Sequence, residues 1–358
     1  MNPLLQVRQH GQQIWLDNLS RTLLNDGELA RFVADDGVAG VTTNPAIFHK
    51  AIAGGRYYEN DLDALKRQPL SAEARYEALV IPDVQRTCDL LAPLHRDSAG
   101  SAGYVSLEVS PALAHDAEGT VAAGLRLKEA VGRPNLLIKV PATAAGLIAI
   151  ERLVAAGVSV NVTLMFSLAH VDAVAAAYVR GLEALRRSGG DVASVMSVAS
   201  LFLSRVDTLV DRQLEEIGGG ALALRGKAAV ATARLAYQRY LARFHGPAFT
   251  ALCEAGARPQ YMLWASTGTK NPAYSDLLYV EPLIGPETVN TLPDATLAAL
   301  RDHGRVASTL AEGIAADERL FAELSVLGVN LDDAGERLQR EGLAQFEQAF
   351  AALLELTA

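Results

Sequence analysis

Asn135-Leu-Leu-Ile-Lys-Val-Pro141 is an apolar run short enough to be a buried parallel strand, and it carries a lysine in its interior. An unpaired ammonium in such a run is costly. The choice of cation is informative, because of 32 basic residues six are lysine, at positions 50, 66, 128, 139, 227 and 270. Arginine is therefore the default. Lysine, unlike arginine, can lose its proton when desolvated and attack a carbonyl to form a Schiff base. Taken alone, Lys139 reads first as a strand-end lysine that snorkels to water or pairs with a carboxylate.

Its neighbours along the chain change that reading. Other strand-like runs also end in polar groups: Ile14-Trp-Leu-Asp17, Val38-Ala-Gly-Val-Thr-Thr-Asn44, Tyr104-Val-Ser-Leu-Glu108 and Val158-Ser-Val-Asn-Val-Thr163. Val195-Met-Ser-Val-Ala-Ser200, Gln260-Tyr-Met-Leu-Trp-Ala-Ser266 and Leu277-Leu-Tyr-Val-Glu281 complete the set. With the lysine run they make eight. Segments of helical spacing lie between them, at 72–91, 120–131, 146–155, 167–187 and 225–244. Strand alternating with helix predicts parallel strands with right-handed crossovers, and eight such strands close most economically into an α/β (β/α)8 barrel, the TIM-barrel architecture. A doubly wound open sheet is the alternative, but no Gly-x-Gly-x-x-Gly follows the first strand.

Residues 1–358 are expected to form a single barrel domain with additions. Residues 1–12 precede the first strand, about 206–258 has room for two helices after the sixth, and about 286–358 should form several helices, the last over 336–356. Gly218-Gly-Gly220 reads as a helix-ending turn. The chain has 358 residues, half of them hydrophobic and a fifth charged, ample for a large core and against disorder. Its net charge of −9 and lack of a basic stripe make nucleic acid an unsuitable partner. Two cysteines far apart in sequence, no basic-then-apolar leader and no apolar run of membrane-spanning length lead to the expectation of a cytoplasmic protein with no membrane partner. The seven histidines show no metal-ligand spacing, so no metal is expected.

In a barrel, the C-terminal ends of the strands form one face. Asp17, Asn44, Glu108, Lys139, Asn161, Thr163, Ser200 and Ser266 would all converge there. Each could be a strand-end cap, and Asn44, which precedes Pro45, suits a turn. Together they are more than a packed apolar barrel needs. A lysine with two carboxylates supports a Schiff-base cycle, in which one carboxylate acts directly and the other through a bound water held by a hydroxyl. Arg205, just past the sixth strand, and Lys270, in Ser266-Thr-Gly-Thr-Lys270 after the seventh, read as an anion site suited to phosphate. The competing reading pairs Arg205 with Asp207 or Asp211.

Several segments, in order along nearly the whole chain, are similar to the transaldolase family. They are Trp15-Leu-Asp-Asn-Leu-Ser20, Gly40-Val-Thr-Thr-Asn-Pro-Ala-Ile-Phe48, Ser106-Leu-Glu-Val-Ser110, Ile138-Lys-Val-Pro-Ala-Thr143, Asn161-Val-Thr-Leu-Met-Phe-Ser167 and Trp264-Ala-Ser-Thr-Gly-Thr-Lys-Asn-Pro272. The length and the last segment resemble the longer bacterial subfamily. The resemblance implies that Lys139 is the Schiff-base lysine on the fourth strand and that Asp17 is the acid/base of carbon–carbon cleavage. It implies that Glu108 and Thr163 position a catalytic water. Asn44 and Asn161 would hold substrate hydroxyls, Ser200 the dihydroxyacetone end, and Arg205, Ser266 and Lys270 the phosphate. Many relatives carry Ser-x-Arg after the seventh strand, whereas this chain has Gly268 there and Lys270 beyond it, and a lysine lacks the bidentate fork of arginine.

The implied reaction transfers a dihydroxyacetone unit from sedoheptulose 7-phosphate to glyceraldehyde 3-phosphate, with no cofactor, in a monomer or homodimer. Fructose-6-phosphate aldolases share the fold and lysine, but they are much shorter and usually carry glutamine at the place of Glu108. A silent sugar-phosphate-binding barrel would have lost Asp17, Glu108 or Lys139, and all three are present.

Overall fold

The structure, a computed structural model, describes residues 2–358. Helix α1 (Pro3–Gln9) precedes β1 (Gln12–Leu16), and α2 (Arg21–Asn25) and α3 (Glu28–Asp35) lead to β2 (Gly40–Val41). Next come α4 (Pro45–Ala53), α5 (Glu59–Lys66), the long α6 (Ala72–Asp97), β3 (Tyr104–Glu108) and α7 (Ala117–Val131). Then β4 (Leu136–Pro141), α8 (Ala144–Ala155), β5 (Val160–Met165), α9 (Leu168–Arg187) and β6 (Ser197–Phe202) alternate strictly. Helices α10 (Ser204–Ile217), α11 (Ala228–Phe244) and α12 (Thr250–Glu254) separate β6 from β7 (Tyr261–Ala265). After β8 (Thr288–Leu292) follow α13 (Asp294–His303), α14 (Ile314–Val326) and α15 (Leu331–Thr357).

The eight strands form a closed barrel in sequence order, every pairing parallel. Closure runs over the whole of β1 against β8, from Gln12 beside Thr288 to Leu16 beside Leu292. Strand β4 is buried at every position, because helices cover the outer face while the barrel fills its own interior. Leu137, Ile138 and Val140 are fully buried, each stabilising the fold by roughly 1.5–3 kcal/mol. The turns into the helices are set by short polar side chains. Thr143 accepts from the Gly146 N–H to cap α8, and Ser167 accepts from the His170 N–H to cap α9.

The expected barrel is present, with one strand displaced. Leu277–Glu281 is not the eighth strand: it is a buried turn running into a short 3-10 segment, Glu281–Leu283. Its apolar residues pack under a loop, the Tyr279 hydroxyl donates to Asp207, and Pro282 could supply no ladder donor. The strand is Thr288-Val-Asn-Thr-Leu292, inside the stretch expected to form several helices. Strand β2 is also shorter than the expected 38–44, since Asn44 already caps α4. The two helices expected within 206–258 are α10 and α11, and Gly218 ends α10 at φ 73°. The last helix begins at Leu331, before the expected Glu336.

The long connection from β7 to β8 is tied down by two buried carboxylates on α10. Asp207 accepts from the Ala229 N–H at 2.8 Å and from the Tyr279 hydroxyl at 2.9 Å. Asp211 accepts from the Gly226 N–H at 2.8 Å and from the Tyr274 hydroxyl at 2.6 Å. Burial pushes Asp207 up to about 6, against the opposing hydrogen bonds from Ala229 and Tyr279. Among the described residues no helix is long and apolar enough to cross a membrane.

Candidate active site

Register places Glu108 beside Lys139 and Lys139 beside Asn161, so three adjacent strands deliver these side chains at one level. Thr163 stands one pleat repeat above Asn161 on the same face of β5. The Lys139 ammonium donates to Glu108 Oε2 at 3.2 Å and to the Thr43 carbonyl at 3.0 Å, with both side chains of the ion pair 6% exposed. Burial raises the Glu108 carboxyl above its ordinary range, with Lys139 opposing and Asp17 adding to the rise.

Asp17 projects from just past β1. Burial raises its carboxyl too, against the hydrogen bond from Thr42 and the attraction of Lys139. Thr42 Oγ1 donates to Asp17 Oδ1 at 2.7 Å and lies 2.6 Å from Thr291 Oγ1. A hydroxyl has one proton to give, so Thr291 donates to Thr42 when Thr42 donates to Asp17. Deeper in, Ser200 donates to Asn161 Oδ1 at 2.7 Å and Asn161 Nδ2 donates to Ser106 Oγ at 2.9 Å. The Thr163 hydroxyl is fully buried and lacks a hydrogen-bond partner.

A cavity of about 110 Å³ opens over this floor, and Asp17, Asn44, Lys139, Thr163, Ser200, Arg205 and Ser266 all line it. Glu108 and Asn161 stand just behind, in contact through Lys139 and Ser200. Asn44 both caps α4, with Oδ1 accepting from the Ile47 N–H, and faces the cavity. Arg205 is half-buried at the start of α10, 5.7 Å from the Phe202 ring centroid, and desolvation lowers its pKa. It makes no ion pair with Asp207 or Asp211, whose oxygens are taken by the tyrosines and backbone groups already described. Ser266 is held at φ 53°, the left-handed region, and its hydroxyl lies 2.8 Å from that of Ser204. Lys270 is the exception: it is exposed on the β7–β8 loop and is not brought to the cavity.

Sequence reasoning passed over Thr42, Thr291, Ser106, Phe202 and Phe346, which complete the floor and walls. Ser106 and Thr42 sit in segments already singled out, one pleat from Glu108 and from Asn44. Thr291 was hidden by the misplaced eighth strand. Phe346 comes from α15, far along the chain, and its ring centroid lies 5.5 Å from Lys139 Nζ.

A sequence model of the family described as transaldolase/fructose-6-phosphate aldolase matches residues 14–357. A transaldolase of Thiobacillus denitrificans is 58% identical over 355 residues, covering 99% of both chains. One of Neisseria gonorrhoeae is 49% identical over 354 residues, again with 99% of both chains covered. A protein named transaldolase 2 from a Nostoc species is 41% identical across 99% of this chain and 96% of its own. With a closed parallel barrel, a buried strand-four lysine and similarity running end to end, the chain belongs to the transaldolase/fructose-6-phosphate aldolase family.

Proposed function

We propose that the protein is a transaldolase that carries a dihydroxyacetone unit on Lys139. Sedoheptulose 7-phosphate is the donor and glyceraldehyde 3-phosphate the acceptor, giving erythrose 4-phosphate and fructose 6-phosphate in the non-oxidative pentose phosphate pathway of the cytoplasm. The observation that carries this reading is a buried lysine paired with the Glu108 carboxylate behind it and facing one small cavity that Asp17 also lines.

In the proposed cycle Lys139 gives a proton to Glu108, and the resulting amine adds to the donor ketone. The carbinolamine then loses water, whose oxygen takes its proton from a water held between Glu108 and the Thr163 hydroxyl. That role would satisfy the otherwise unpaired Thr163 oxygen. Asp17 takes the proton of the C4 hydroxyl as the C3–C4 bond breaks, releasing the aldose and leaving an enamine on the lysine. The enamine carbon attacks the acceptor aldehyde, whose oxygen takes the proton back from Asp17. Water then adds at the imine carbon, and loss of the C–N bond frees the product ketose. Asn44, Asn161 and Ser200 hold hydroxyls of the three-carbon unit, and Arg205 with Ser266 holds the phosphate. Lys270 would act at longer range, as a charge on the approach.

Incubation with fructose 6-phosphate followed by borohydride should add the mass of a reduced dihydroxyacetone to the Lys139 peptide. Lys139→Met should abolish both adduct and transfer. An adduct on another lysine, or transfer activity surviving in Lys139→Met, would remove the reading.

A further inference from the structure

We infer that α15 is a working wall of the lysine site, Gln339 fixing the two strand ends beneath it and Phe346 sealing the pocket against water. The inference rests on the Schiff-base reading of Lys139. Positions 335, 339, 342 and 346 fall on one face of α15, at helical spacing, and each meets the catalytic end of the barrel. Gly335 lies so close to Ser167 that a side chain there would crowd it, and Gly342 lies against Leu164, Arg205 and Phe166, where an added Cβ would press on the end of the Leu164 side chain alone. These glycines let the helix settle onto the strand ends.

Gln339 sits between them. Its Nε2 donates to the Ala142 carbonyl at 3.0 Å and to the Leu164 carbonyl at 3.1 Å. Ala142 follows the strand of Lys139, and Leu164 follows Thr163. Leu164 has φ 58°, unusual for a residue with a side chain, where the β5–β6 register shifts between Val162 and Met165. One amide from α15 thus takes up the carbonyl of this irregular residue and bridges it to the neighbouring strand. A second tie lies one turn earlier, where the buried His170 ring meets Glu336 at 3.0 Å.

Phe346 is the consequence of this anchoring. It lines the cavity, is itself buried, and presents its ring toward Lys139 Nζ. A three-carbon unit bound to Lys139 has two fates. As an enamine it can form a carbon–carbon bond to an acceptor aldehyde. Alternatively the enamine carbon takes a proton from solvent to give the iminium, and water adds at the carbon doubly bonded to nitrogen and gives up its proton to Glu108. The C–N bond then breaks, the nitrogen leaves with a proton, and free dihydroxyacetone departs. An apolar roof disfavours the second route by keeping solvent from the enamine carbon, a protonation that the transfer route does not use, and an aromatic ring near the nitrogen suits its positive charge.

The test compares transfer to an added aldose phosphate with release of free dihydroxyacetone, both from fructose 6-phosphate. Phe346→Ala should raise the ratio of release to transfer roughly ten-fold, and Phe346→Leu, which keeps most of the volume, by no more than about three-fold. Gln339→Leu should lower kcat several-fold while leaving KM for the donor within about two-fold, because it misplaces reacting groups without removing a binding contact. Release ratios equal to wild type in Phe346→Ala overturn the roof, and an unchanged kcat in Gln339→Leu overturns the clasp. If Phe346→Ala loses its thermal transition, Phe346→Val is read instead, and a ratio that does not rise as side-chain volume falls is equally fatal. Borohydride trapping of each protein separates the two levels. Failure to label Lys139 in wild type would defeat the Schiff-base reading itself, whereas labelling with unaltered ratios defeats the inference alone.

Discussion

Asp17 depends on two hydroxyls that never touch substrate in the proposed cycle. Thr42 donates to it, and Thr291 stands behind Thr42. Burial raises the Asp17 carboxyl and the Thr42 hydrogen bond opposes that rise, so Thr42→Val should raise it further. A base must be ionised to act, and its activity is lost as pH falls through its pKa. The acid limb of kcat/KM should therefore move to higher pH in Thr42→Val, with turnover near neutrality falling roughly ten-fold. Thr42→Ser should restore both. A pH–rate series on the three proteins decides it, and an acid limb that stays in place would remove Thr42 from this role. At this scale the sequence was most legible where a polar residue interrupted an apolar strand, as at Lys139, Asn161 and Thr163. It was least legible where the supporting group lay on a different strand or helix, as with Thr291 and Phe346. Pairing across the barrel is a three-dimensional fact with no local trace. Lys270 shows the converse: a cation near a strand end in sequence that the loop carries outward into solvent.

Among elements, strands with continuous apolar runs were read correctly because burial on both faces demands that composition. Strand β8 failed that criterion. Its Thr288-Val-Asn-Thr-Leu292 carries three polar residues, all buried: Thr288 donates to the Gly285 carbonyl and Asn290 Nδ2 donates to the Tyr279 carbonyl, while Asn290 Oδ1 is left without a partner. Leu277–Val280 looked the better strand because its apolar residues pack beneath a loop instead. Helix α15 offers an element-scale prediction. A Cβ at Gly335 would stand 2.6 Å from the Ser167 Cβ, on the residue that caps α9. Gly335→Ala gains about 1 kcal/mol of helix propensity, but overpacking of roughly 1–3 kcal/mol outweighs it. The expected result is a net loss of about 1 kcal/mol in unfolding free energy, measured by denaturant titration. A stabilised Gly335→Ala would mean that α15 sits less tightly on the barrel than described.

Over the whole molecule, Asp207 links stability to pH, because it joins α10, the start of α11 and the β7–β8 connection. Its carboxyl rises from an ordinary 3.8 to about 6 on folding. The folded chain thus holds this proton more tightly than the unfolded chain. The resulting stability is fully present below the unfolded value and is lost as pH rises through about 6. Asp207→Asn keeps an acceptor for the Ala229 N–H and cannot ionise. Relative to wild type it should gain on the order of 3 kcal/mol between about pH 4 and about pH 7. Denaturant melts at the two pH values measure this, and a constant difference between the proteins would show that Asp207 is not the group responsible.

The Gln339 clasp joins groups 197 residues apart in sequence. Translation runs from one end of a chain to the other, so Lys139 leaves the ribosome long before the helix that is to shelter it. Until that helix arrives, the lysine stands without its cover, and on the proposed Schiff-base reading any sugar it captures is exposed to the solvent. On that reading chemical competence is tied to completion of the last long helix, and a nascent chain halted short of Gln339 would retain the lysine while lacking the means to protect its cargo.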